Sequence, residues 1–192
     1  MKRFWVVLVA GVALALGGCG YNDIQRSDEG VTAAWSEVTN QYQRRADLIP
    51  NLVETVKGFA QQEKDVLTQV TEARSRAGSI KLTPEMLNDP AALQKFQQAQ
   101  GELSGALSRL LVTVEKYPEL KSDKNFLELQ AQLEGTENRI AQERQRFNTT
   151  VQTYNTAIRV FPASLVASFR GFGTKEFFQA DAGAEKVPQV KF

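Results

Sequence analysis

From Trp35 onward the apolar residues fall into heptads. Counting in sevens gives Trp35, Tyr42, Ile49, Val56, Glu63, Val70 and Ala77, and three residues after each come Val38, Arg45, Leu52, Phe59, Val66 and Ala73. Apolar positions that alternate by three and four form one stripe on a helix. The pattern therefore predicts a long first helix over residues 27–77, roughly 75 Å at ~1.5 Å per residue. Two seam positions, Arg45 and Glu63, are polar. Pro50 lacks a backbone donor and crowds the preceding turn, so a kink is expected there.

Gly78 and Thr83-Pro84 mark residues 78–88 as a loop. Asp89-Pro90 then restarts a helix, because Asp89 can cap free amides and Pro90 suits the first helical position. Its seam is Leu93, Phe96, Gln100, Leu103, Leu107, Leu110, Val114 and Tyr117, closed by Pro118. Ser122 or Asp123 can cap a third helix, in which Phe126, Leu133, Ile140, Phe147, Tyr154 and Phe161 recur every seven residues, supported by Leu129, Val151 and Ile158. After Pro162, residues 164–169 predict a short fourth helix before Gly171 and Gly173.

No segment alternates with the period of a strand, and the connections are short. The expected fold is all-α: a long antiparallel up-and-down helical bundle of three long helices plus a short fourth. The bundle occupies residues 27–170. Residues 171–192, with Phe172, Phe177, Phe178 and Phe192, are too apolar for a free tail and are expected to pack on it.

Residues 1–18 read as an export signal: Lys2 and Arg3 supply positive charge, and residues 4–16 form an apolar run ended by Gly17 and Gly18. At about thirteen residues the run falls short of the ~20 a bilayer core needs. Leu16-Gly17-Gly18-Cys19 resembles the lipobox of bacterial lipoproteins, which implies acylation of Cys19 and cleavage before it. Two or three acyl chains hold a protein stably where one does not, since each buried methylene contributes ~0.8 kcal/mol. Residues 19–26 are then a lipidated start and short linker. Gly20 is not the aspartate that favours inner-membrane retention, so the periplasmic side of the outer membrane is expected if the source has two membranes.

Composition narrows the chemistry. Lys and Arg number 23 against 22 Asp and Glu, and without Lys2 and Arg3 the balance falls to about minus one; a nucleic-acid binder would show a basic surplus. Histidine is absent, which removes the usual general base and the commonest metal ligand. Cys19 is the only cysteine, so neither an internal disulfide nor a multi-cysteine zinc site can form. No catalytic residue, metal site or cofactor is expected. An enzyme would have to work with carboxylates such as Glu63 and Glu137, with no nucleophile indicated beside them.

The stretch Arg44-Arg45-Ala46-Asp47-Leu48-Ile49-Pro50-Asn51-Leu52-Val53-Glu54-Thr55-Val56-Lys57-Gly58-Phe59-Ala60 resembles the signature of the LemA family. So do Ala34-Trp35-Ser36 with Val38, Thr71-Glu72-Ala73-Arg74, and Thr136-Glu137-Asn138-Arg139-Ile140-Ala141 with Arg144 and Phe147-Asn148. The ending, with Phe161-Pro162, Phe172, Phe177-Phe178 and Val187-Pro188, is similar as well. The resemblance implies a long-helix bundle with its N-terminus at a membrane and the rest outside the cytoplasm, and it carries over no catalytic residue. The chain departs from the family at Ala46, often a tyrosine or similar residue, and in having a lipobox where many members keep an apolar span.

Glu137, Arg144, Asn148 and Asn155, spaced by seven, four and seven, share a stripe beside the third helix's seam. Arg45, Asp47, Asn51 and Arg74 lie in or beside the first seam, so the two sets form a candidate inter-helix polar network, one that fixes register at some cost in stability, or else a partner surface. Gly101 and Gly105 have GxxxG spacing off the second seam and suggest a face for close contact. The expected function is a non-enzymatic, membrane-anchored scaffold or adaptor of the bacterial envelope, held by lipid at Cys19 and acting on envelope or membrane proteins. A self-associating homo-oligomeric rod is the second reading. A small-ligand carrier, hinted at by Ala73, Ala77 and Ala99, is the third.

Overall fold

In the computed structural model the backbone is described over residues 2–179 and side chains from Gly20 onward. The described residues form six α-helices and a 3-10 turn, with no strand: α1 Lys2–Phe59, α2 Lys64–Gly78, the turn Pro84–Asn88, α3 Pro90–Val114, α4 Pro118–Lys121, α5 Lys124–Ala157 and α6 Ala163–Arg170. The Cys19 side chain and residues 180–192, with Val187-Pro188 and Phe192, lie outside the described residues.

The first helix differs from the expectation in two ways. It runs as one helix from Lys2 through the predicted signal and linker, with Pro50 inside it, and it ends earlier than residue 77. The interruption comes at residues 60–63, which divide the predicted 27–77 helix into α1 and α2. There the Ala60 amide still donates to the Val56 carbonyl at 2.8 Å, but the Glu63 amide turns back to the Ala60 carbonyl at 3.1 Å. The polar seam position Glu63 marks this break.

The other boundaries have local causes. The helix α3 opens at Pro90, directly after Asp89. The Phe126 amide donates to Asp123 Oδ1 at 2.9 Å, one free N–H of the first turn of α5 satisfied by a side chain. Gly171, with φ of 75°, ends α6 in the left-handed region, and the Phe172 amide reaches back to the Ala167 carbonyl at 3.0 Å.

Backbone proximity divides the chain into two compact units. Among the described residues, one comprises 2–42, 83–89 and 139–177; the other comprises 43–82, 90–138 and 178–179. In the first, α1 buries Ile24, Val31, Trp35, Val38 and Tyr42, and α5 buries Ile140, Phe147, Val151, Tyr154 and Ile158. The Trp35 and Phe147 rings stand 5.8 Å apart in a tilted pair. Phe161, read as the last seam residue of the third helix, is instead 78 % exposed, because α5 ends at Ala157 and the chain turns before α6.

The second unit has one continuous apolar core. It contains Ile49, Leu52 and Val56 of α1, Val70, Ala73 and Ala77 of α2, Leu103, Leu107 and Leu110 of α3, Leu120 of α4, and Phe126 and Leu133 of α5. Ala73, Ala77 and Ala99 belong to this core. Phe178 is buried with its ring 6.5 Å from that of Phe96.

Candidate functional site

The second unit buries a charge at its centre. Arg45 is 1 % exposed. Its Nη1 donates to Glu137 Oε1 at 2.6 Å and to Ser104 Oγ at 2.9 Å, while Nη2 donates to Gln100 Oε1 and, at 3.4 Å, to the Gln100 carbonyl. A buried guanidinium is tolerable only with a counter-charge and acceptors for its fixed fork of donors. Here α5 provides the carboxylate, and α3 provides the amide, hydroxyl and carbonyl. The centre therefore ties α1, α3 and α5 together.

Of the other candidates on α1 and α2, Arg74 is half-buried and donates its Nε–H to the Ala46 carbonyl at 2.8 Å. Asp47 is exposed and accepts from Gln43 Nε2 at 2.7 Å, one helical turn away. Asn51 is exposed, on the wall of a shallow groove of about 350 Å³ with Leu48, Thr55 and Glu128. The two carboxylates of the acid–base hypothesis have separate partners: Glu63 Oε1 accepts from the Tyr117 hydroxyl at 2.9 Å, and Glu137 takes Arg45. The bond to Glu63 stabilises the neutral phenol and raises the pKa of Tyr117.

On α5, Arg144, Asn148 and Asn155 belong to the first unit. Arg144 and Asn148 are half-buried. Asn155 is buried and grips the chain after α6: its Nδ2 donates to the Lys175 carbonyl and its Oδ1 accepts from the Lys175 amide, both at 2.9 Å. Its partner is therefore this C-terminal strap. The Tyr154 hydroxyl donates to the Gly173 carbonyl at 3.0 Å, and Lys175 Nζ pairs with Asp28 Oδ1 at 2.8 Å, 5.3 Å from the centre of the Tyr154 ring. Burial first, and then the Asp28 charge, push the Tyr154 phenol up to about 12. Sequence reading missed Ser104, Asp28 and Lys175. Gln100 stands in the second seam without having been singled out, and its polarity among apolar neighbours is the signal that could have found it.

Beside the Arg45 centre, still within the second unit, an open groove of about 430 Å³ has an apolar floor of Leu52, Leu107, Leu111 and Leu133. Ser104, Ser108, Glu134, Glu137 and Asn138 rim it, so Ser104 and Glu137 serve both the buried cation and the groove. Gly101 and Gly105 face away from any close packing, since a Cβ on either would meet nothing within 4 Å. Among the described residues, no three Cys, Asp or Glu side chains are grouped so as to hold a metal ion, and no helix is long and apolar enough to cross a membrane.

The sequence pattern of the LemA family matches residues 34–192. The chain is similar to Magnetosome protein MamQ of Magnetospirillum gryphiswaldense, with 29% identity over 88% of this chain and 70% of that protein. Magnetosome protein MamQ 2 of Paramagnetospirillum magneticum is 28% identical over 83% of this chain and 64% of its own length. Protein LemA of Metamycoplasma hominis is 22% identical over 83% of this chain and 68% of that protein.

Proposed function

The chain belongs to the LemA family, and on that premise we propose that it is a membrane-tethered, non-enzymatic adaptor of the bacterial envelope, anchored by lipid on Cys19 with its helices packed up and down outside the cytoplasm. The observation that carries the adaptor reading is the groove beside Arg45. Its floor is leucine and its rim is acidic through Glu134, a combination suited to an apolar segment of another protein with a basic flank. The groups nearest to it are already committed. Arg45 holds both Glu137 and Ser104.

Cross-linking and pull-down from native membranes test this, comparing wild type with Leu111→Arg/Glu134→Lys and with Cys19→Ala. Discrete envelope proteins should co-purify with wild type and be lost from the groove variant, whose helical signal stays unchanged. The Cys19→Ala form should leave the membrane fraction. Cross-links only between copies of this chain would favour the self-associating rod, and a partner set indifferent to the groove variant would overturn the adaptor surface.

A further inference from the structure

The helix α6 places its small and large residues in the reverse of the usual order. Its inward side is small: Ala167 is 3 % exposed, and Ala163 lies against α1 so closely that a Cβ added at Gly20 would stand 3.6 Å from the Ala163 Cα. Its outward side is large. Leu165 is 65 % and Phe169 89 % exposed, one turn apart on the same face, and Phe161 in the preceding turn is 78 % exposed. A helix facing water puts such residues inward, and an apolar cluster of this kind on a surface marks something that covers it.

Its surroundings indicate what that is. Arg159 and Arg170, both exposed, bracket this segment in the sequence. The Arg170 guanidinium lies 5.0 Å from the centre of the Tyr21 ring, and that ring is 6.2 Å from Phe172. Thus α6 packs beside Gly20 and Tyr21, the two residues that directly follow Cys19 and the apolar run of residues 4–16.

We propose that Phe161, Leu165 and Phe169 form a membrane-contact surface that enters the boundary between headgroups and acyl chains. Arg159 and Arg170 sit at the level of the lipid phosphates, and Tyr21 lies at the interface, where amphipathic rings collect. The inference rests on the reading that the N-terminal segment is a membrane anchor. It adds a second point of attachment, so that the first unit lies against the bilayer in one orientation and does not swivel on a flexible tether. Anionic lipid strengthens the contact through the two arginines.

The test uses the full anchored chain in phosphatidylethanolamine–phosphatidylglycerol vesicles carrying a lipid with a photoactivatable acyl chain, with adducts mapped by mass spectrometry. Adducts are expected on Phe161, Leu165 and Phe169. Labelling of Val112 and Leu127, exposed apolar residues outside α6, gives the background against which the α6 adducts are read. Leu165→Gln/Phe169→Gln should lower the α6 labelling several-fold while the chain keeps its helicity and stays with the vesicles. A chain that sediments with vesicles but labels α6 no more than Val112 overturns the contact and leaves the anchor standing. A chain that does not sediment at all overturns the anchor, and the contact with it.

Discussion

Arg74 on α2 donates its Nε–H, at 2.8 Å, to the carbonyl of Ala46 on α1, and that carbonyl is the acceptor that Pro50 deprives of its helical partner. In a continuous helix the Ala46 oxygen would accept from the amide four residues on, and residue 50 has none. The side chain from α2 replaces the missing donor. This explains why α1 continues through a proline, and it joins two separate sequence motifs, one ending in Arg74 and the other containing Ala46 and Pro50, into one piece of structure.

The relationship predicts a specific coupling. Arg74→Ala leaves a half-enclosed carbonyl without its donor and should destabilise the chain by about 1–2 kcal/mol. Pro50→Ala returns an amide to position 50, so in that background the same Arg74→Ala change should cost less, with a coupling of roughly 1 kcal/mol. Urea denaturation of the four forms measures the cycle. Equal costs in both backgrounds would show that Arg74 acts elsewhere.

A second prediction concerns Arg45. Removing its counter-charge leaves a cation in a site where it is 1 % exposed, and breaking a buried pair costs about 3–5 kcal/mol. Glu137 keeps 43 % of its side chain exposed, and Gln100 and Ser104 remain as acceptors, so Glu137→Ala should fall at or below the low end of that range, about 2–3 kcal/mol. Arg45→Met/Glu137→Gln, which removes both charges, should recover much of that loss. Thermal and urea unfolding give the comparison; a double variant less stable than Glu137→Ala would contradict this account.

The heptads of the second and third predicted helices correspond to α3 and α5 because a regular apolar seam has one way to be buried. The first seam was harder to read, since its two polar interruptions looked alike. Arg45 is a charge carried into the core, whereas Glu63 is where the helix stops. The difference depends on Gln100 and Tyr117, partners about 55 residues distant in sequence, which no local pattern reveals. Phe161 misled for a related reason. It continues the heptad of α5 arithmetically, but the chain has already turned, and only the surroundings of α6 show that its ring faces outward. Likewise the shared stripe of Glu137 and Asn155 was visible, while the strap that Asn155 holds lies in an irregular segment whose backbone hydrogen bonds the sequence does not encode.

Gly101 and Gly105 supply a third prediction. Both lie inside α3, where glycine is less favourable than alanine by ~1 kcal/mol, and nothing within 4 Å would obstruct a Cβ at either position. Gly101→Ala and Gly105→Ala should each stabilise the chain by about 0.5–1 kcal/mol, seen as a higher midpoint in thermal unfolding. If instead the isolated chain is unchanged while membrane cross-links between copies disappear, the glycine face is a contact between chains.

The last prediction is a pH dependence at Tyr154. Burial is the main cause that lifts its pKa from the ordinary value of 10 to about 12, so the folded chain holds the phenolic proton more tightly than the unfolded chain does. The stability this gives is complete below pH 10 and is lost as pH rises from about 10 to about 12. Ionisation also removes the donor that the Tyr154 hydroxyl offers the Gly173 carbonyl, so the strap held by Asn155 and Asp28 should loosen in the same interval. Hydrogen exchange at the Lys175 amide, which donates to Asn155 Oδ1, should exceed the ordinary base-catalysed rise there, and the tyrosinate absorbance should show a component near pH 12. Tyr154→Phe removes both the late titration and the associated pH dependence while leaving the ring in the core. If that variant still loses the strap between about pH 10 and about pH 12, a group other than the Tyr154 phenol controls it.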